Sequence, residues 1–102
     1  MAAYLIVDVA QIRDESMYLR YRQQVSSGLC AAGGQYLARG GAIEVLEGDW
    51  QPTRVVLVRF NSTAAARSWW LSNDYASLKH MRQASTTTKM ITVEGVAEEA
   101  TS

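Results

Sequence analysis

The chain has 102 residues, enough for one domain, and 48% of them are hydrophobic against 20% charged, an ordinary globular balance. Ten basic and ten acidic side chains cancel, so no overall field draws the chain to nucleic acid or to an anionic membrane. A single cysteine, Cys30, excludes an intramolecular disulfide and suits a reducing compartment.

The opening Met-Ala-Ala-Tyr-Leu-Ile-Val-Asp has no basic stretch, and its apolar run is too short for a signal peptide. No segment approaches the ~20 apolar residues of a membrane span. A cytoplasmic location with no membrane partner is therefore expected.

Tyr4 to Val9 reads as a strand, rich in β-branched residues. Asp14 is positioned to cap a helix to about Ala32, along which Met17, Tyr18, Tyr21, Val25 and Leu29 form an apolar stripe. Gly33-Gly34 ends it. A second strand, Gln35 to Arg39, is interrupted at Gly40-Gly41 and is expected to resume through Ile43-Glu44-Val45-Leu46, with a bulge or bend at the glycines. A turn over Glu47 to Pro52 leads to a third strand, Arg54 to Phe60. Asn61 or Ser62 caps a second helix through Trp69 and Leu71. Ser72-Asn73-Asp74 kinks or restarts it, and Tyr75, Leu78, Met81 and Arg82 continue on one face. The last strand is Lys89 to Val96, and residues 97–102 read as a flexible tail.

The order β-α-β-β-α-β over residues 1–96 predicts a single ferredoxin-like α+β domain, a four-stranded antiparallel sheet with two helices on one face. The first and third strands, the most apolar, belong at its centre. Two helices cover only one face, yet both parities of these strands carry apolar side chains, so a second copy is expected on the bare face.

Several stretches resemble a known family. Tyr36-Leu37-Ala38-Arg39-Gly40-Gly41, Leu46-Glu47-Gly48-Asp49-Trp50, Arg54-Val55-Val56, Trp69 with Ser72-Asn73-Asp74-Tyr75, Arg82, and Ile91 to Val96 are similar to domain-of-unknown-function family 1330. The resemblance implies a dimeric α/β barrel, in the superfamily that includes the antibiotic-biosynthesis monooxygenases, and implies no activity. Asn73 departs from the pattern, which commonly has proline there.

Among candidate chemical groups, His80 is the only histidine, so one chain cannot build a multi-histidine metal site. Haem-degrading proteins of the same superfamily carry an axial histidine on the second helix, where His80 also falls. At ~100° per residue it points away from Leu78, as a surface histidine does. Cys30 reads as a buried structural thiol. Neither glycine pair forms a phosphate loop, and the third strand lacks the glycine and stacking aromatics of an RNA-recognition sheet.

Charges within strands carry the most information. Asp8 shares parity with Tyr4 and Ile6, Arg39 with Leu37, Arg59 with Val55 and Leu57, and Glu94 with Met90 and Thr92. The opposite parities, Ile91 and Val93 included, are apolar and are expected to meet the helices. The mixed parity then faces the partner, as a polar-ligand lining or as interface ion pairs, and both accounts stand. Glu47 and Arg54 flank the hairpin as a cross-strand pair, and one of Trp69 and Trp70 faces the core. Tyr4, Asp8, Arg39, Glu47, Arg59, Trp69 and Glu94 are therefore the ligand-binding candidates, with no metal, cofactor or nucleic acid expected. The leading reading is binding, or cofactor-free conversion, of a small organic molecule in a homodimeric barrel. The alternatives are a non-catalytic dimeric interaction protein and, more distantly, a haem-linked monooxygenase.

Overall fold

The structure, a computed structural model, describes residues 1–97. The expected tail therefore lies, apart from Ala97, outside the described residues. The elements are β1 (Ala3–Ile12), α1 (Glu15–Ala31), β2 (Gln35–Arg39), β3 (Arg54–Phe60), α2 (Thr63–Leu71), α3 (Asn73–Ser85) and β4 (Thr86–Glu94). The strands form one antiparallel sheet in the order β2-β3-β1-β4, so the two most apolar strands are central, as their composition demands. This is the ferredoxin-like α+β arrangement.

Local chemistry sets the helix boundaries. Asp14 caps α1 by accepting from the Met17 N–H at 3.0 Å. That bond, and the one from the Ser16 hydroxyl, hold its carboxyl below the usual carboxylate value. Tyr18, Tyr21, Val25 and Leu29 form the buried stripe of α1, and Gly33, at φ +93°, turns the chain out of it. Ser72 separates α2 from α3, closing the one and capping the other, so the second helical region is two helices and the break is sharp without proline.

One core fills the space between sheet and helices. Leu5, Val7 and Val9 of β1 and Val58 and Phe60 of β3 meet the α1 stripe, Ala66 and Trp69 of α2 and Tyr75 of α3. On the other face Tyr4, Ile6, Val55 and Leu57 are only half-buried, and Leu37, Ile91 and Val93 are exposed. That face has no helix on it.

Four expectations are corrected. Residues 43–46 form no strand, because β3 begins at Arg54 and leaves the chain after Arg39 without a partner to pair with. Ile43, Val45 and Leu46 are exposed instead. Strand β4 starts at Thr86, three residues earlier than expected, and ends at Glu94. Cys30 is exposed, since it follows Leu29 around the helix and points off the buried stripe. The fourth correction concerns strand faces.

Arg39 and Glu94 do not share a face with Asp8 and Arg59. In β2 the register with β3 shifts between Tyr36 and Ala38, so Leu37 is an extra residue. Beyond it Ala38 pairs with Leu57 on the open face, and Arg39 pairs with Val56 on the helix side. In β4, Met90 pairs with Val7 and Thr92 with Leu5, both buried under the helices, while Ile91 and Val93 pair with Ile6 and Tyr4 on the open face. The apolar parity of this edge strand is thus the one turned away from the helices. Glu94, opposite Ala3, has helix-side parity and is exposed at the sheet's end.

Candidate functional site

Beneath the helices lie two cavities that share Leu5, Arg82 and Met90 as a common wall. The larger is a cleft of about 620 Å³ at the β4 edge. Strand β4 supplies Thr86, Thr88 and Thr92, and α2 supplies Ala66, Arg67 and Trp70. The smaller, of about 40 Å³, runs into the core beside Tyr18, Tyr21, Tyr36 and Trp69. A volume of several hundred Å³ is that of a small-molecule site; the smaller space suits one or two waters.

Arg82 stands at the junction. It lies one α3 face with Tyr75, seven residues earlier, and is only 5% exposed. Its Nε–H donates to the Tyr75 hydroxyl at 3.2 Å, which shares a further hydrogen bond of 2.8 Å with the Tyr21 hydroxyl. No carboxylate of a described residue pairs with Arg82, and its terminal N–H groups have no protein acceptor among the described residues. Stripping a charge of water costs several kcal/mol unless a counter-charge replaces it.

The walls around this guanidinium are stiff. Tyr75 stacks at 4.1 Å between centroids on Trp69, which in turn packs on Phe60. Burial, reinforced by Tyr75, pushes the Tyr21 phenol well above its usual range, so Tyr21 stays protonated. Trp70 is fixed at the cleft by Lys79, whose Nζ lies 3.7 Å from the ring centroid and donates to the Trp70 carbonyl at 2.9 Å. Thr86 is buried, and its hydroxyl is 2.7 Å from that of Thr88.

The electrostatics of the two cavities are one-sided. Arg22, Arg39, Arg54 and Arg82 line the inner one and Arg67 and Arg82 the cleft, with no aspartate or glutamate in either lining. Of these five, Arg82 is buried and Arg54 half-buried, while Arg22, Arg39 and Arg67 are exposed at the rims. The guanidinium of Arg39 lies 4.6 Å from the Tyr36 ring centroid and donates to the Arg22 carbonyl at 2.9 Å. Arg54 donates from Nε to the Tyr18 hydroxyl at 3.0 Å rather than pairing with Glu47.

The seven residues singled out from sequence fall into separate groups. Arg39 and Trp69 line the inner cavity, and Trp69, not Trp70, is the core tryptophan. Tyr4 and Arg59 are direct cross-strand partners on the open face. Asp8 lies farther along the same face, where its Oδ2 accepts from Trp50 Nε1 at 3.1 Å while its buried Oδ1 has no partner. Glu47 lines a surface pocket with Trp50, Ala38 and Val55. Glu94 stands apart from all of them. His80 is exposed and lines neither cavity under the helices. Sequence reasoning missed Arg82, Tyr75, Tyr21 and the β4 threonines. The available signal was a charge on the apolar stripe of α3, where an exposed role would have put it on the opposite side.

Residues 2–96 match the family described as "Domain of unknown function (DUF1330)". No curated protein is significantly similar to the chain. Among solved structures, RPA0582 of Rhodopseudomonas palustris, of unknown function, superposes with a TM-score of 0.77 at 17% identity, over 94% of this chain and 83% of that one. A dimeric ferredoxin-like protein of unknown function from Jannaschia sp. CCS1 gives 0.70 at 14%, over 93% and 100%. SnoaB of Streptomyces nogalater, a cofactor-independent oxygenase, gives 0.67 at 8%, over 94% of both chains. At these identities the likeness is one of fold.

Proposed function

The chain belongs to the DUF1330 family, and on that footing we propose that it binds a small organic molecule in the cleft between β4 and helices α2 and α3, as one protomer of a homodimer. The observation that carries the reading is Arg82: a buried guanidinium, held by one neutral phenol, at the base of a cleft of about 620 Å³. A purely structural dimer would leave the cost of that burial without a return.

The dimer rests on the open sheet face. Ile91 is 56% exposed and Val93 44%, beside half-buried Tyr4, Ile6, Val55 and Leu57. The apolar loop residues Val45, Leu46 and Trp50 are also exposed. An apolar surface this broad is covered in most soluble proteins, and ferredoxin-like neighbours are dimeric.

Binding is favoured over conversion. SnoaB is described as an oxygenase that needs no cofactor. Chemistry of that kind at neutral pH calls for a group able to take a proton. The lining of both cavities offers guanidinium groups, hydroxyls and phenols, and burial keeps the Tyr21 phenol protonated.

Small-molecule screening by NMR tests the reading. Compounds that bind should shift the Trp70 indole N–H and the amides of Thr86 and Thr88. A screen whose hits move only residues of the 40–53 loop would place the site elsewhere and defeat the proposal.

A further inference from the structure

Resting on that reading, we infer that the cleft takes a small organic monoanion: a carboxylate on a flat apolar body, its charged end against Arg82 and its body against Trp70 and Met90.

The charge follows from the count. Arg82 is nine-tenths buried and has no counter-charge among the described residues, and a second arginine, Arg67, is exposed at the rim of the same cleft. A guanidinium keeps its charge inside proteins, and its terminal N–H groups, to which no described residue offers an acceptor, are open to water or to a negative group from outside the fold. Arg82 is the buried arginine of the cleft lining, whereas Arg67 is exposed and screened by solvent, so a single negative charge, a carboxylate rather than a phosphate dianion, matches the site. The fork also fits. With Nε committed to Tyr75, the terminal N–H groups remain for a planar acceptor with two oxygens.

The body of the ligand follows from the walls. Leu5, Ala66, Trp70 and Met90 offer apolar surface, and Trp70 is pinned by Lys79 as a flat plate. The Thr88 and Thr92 hydroxyls provide hydrogen bonds along the β4 side. The inner cavity, at about 40 Å³, is too small for the body, which therefore stays in the cleft.

The test is titration of the full chain with naphthoate, its neutral carboxamide and naphthyl phosphate, followed by calorimetry and tryptophan fluorescence. Naphthoate is expected to bind saturably, one molecule per protomer, at least about tenfold tighter than the carboxamide, since charge-assisted hydrogen bonds are about twice as strong as neutral ones. Arg82→Met, folded by circular dichroism, should abolish that preference, and Arg82→Lys should retain part of it. Arg82→Gln replaces the methionine variant if the latter does not fold. Equal affinity for carboxylate and carboxamide would overturn the inference while leaving the cleft as a binding site. Tighter binding of the phosphate would overturn the monoanion, and a preference that survives in Arg82→Met would overturn the role of Arg82. Failure of all three probes to bind would overturn the reading of the cleft together with the inference.

Discussion

Gly40 matters because two constraints fall on the one atom it lacks. Its φ of +70° is the left-handed region, and a Cβ there would run into the Arg54 guanidinium, which is held by Tyr18. The neighbouring Gly41 has open space around it and no positive φ. Gly40→Ala should therefore cost about 1 kcal/mol or more, and Gly41→Ala far less, as read from urea denaturation of the two single variants. Equal losses would show that neither the left-handed backbone nor the contact with Arg54 sets the requirement. Tyr21 gives a second expectation at this scale. Its phenol is raised above the ordinary 10.0 by burial first, then by Tyr75. Above that pH the unfolded chain ionises there and the folded chain resists, so stability present below pH 10 is lost as the pH rises further. Tyr21→Phe should flatten this alkaline decline. At neutral pH it should cost about 1 kcal/mol for the hydrogen bond lost by Tyr75. An unchanged alkaline slope would contradict the assignment.

Among the elements, the join between α2 and α3 rests on one hydroxyl. Ser72 Oγ donates to the Trp69 carbonyl at 2.7 Å and accepts from the Tyr75 N–H at 3.2 Å, so one side chain serves both helix ends. Ser72→Ala should destabilise by about 1–2 kcal/mol, within the range for N-caps, measurable as a lower thermal midpoint; a neutral substitution would show that the break is set elsewhere. A kink or restart here was readable from the serine followed by Asn73 and Asp74, as were the Asp14 cap and, as one of two candidates, the Ser62 cap, because caps depend on local chemistry alone. Strand faces were not equally legible. Parity counting assumes an unbroken period of two, and the extra residue at Leu37 carried Arg39 to the other side of the sheet. In β4 the period held but its polarity misled. Threonines 88 and 92 line the cleft from the helix side, whereas Ile91 and Val93 pair with open-face residues of β1 and are exposed. Arg82 was placed on the correct helix face, yet its meaning emerged only with the cleft beside it and the lack of a carboxylate partner, both of which depend on tertiary packing.

At the scale of the whole molecule, the two sheet faces carry separate duties. The helix face holds the core; the cleft wraps the β4 edge as far as Ile91, and the open face, apolar and without a helix, is the one proposed to meet a second copy. Sedimentation equilibrium should return close to twice the 11.3 kDa chain mass. Because Val93 is exposed on the open face and lines neither cavity, Val93→Lys should shift the equilibrium toward monomer without unfolding the chain. A stable monomer in the unmodified protein would remove the assembly. The strand order was legible in the sequence, since it rests on composition, and so was the apolar character of both faces of the central strands. The division of labour also bears on stability. A side chain kept for a ligand is expected to weigh on the fold that carries it, whereas one kept for packing supports it. Arg82 separates the two, and the urea denaturation midpoint of ligand-free Arg82→Met is the direct measurement. If Arg82 serves a ligand, the midpoint is equal to or above that of the parent chain, since the substitution removes a buried charge that has no counter-charge among the described residues and fills the space with apolar atoms. A loss of about 3 kcal/mol or more would mean that the arginine holds the fold together, and would contradict the account.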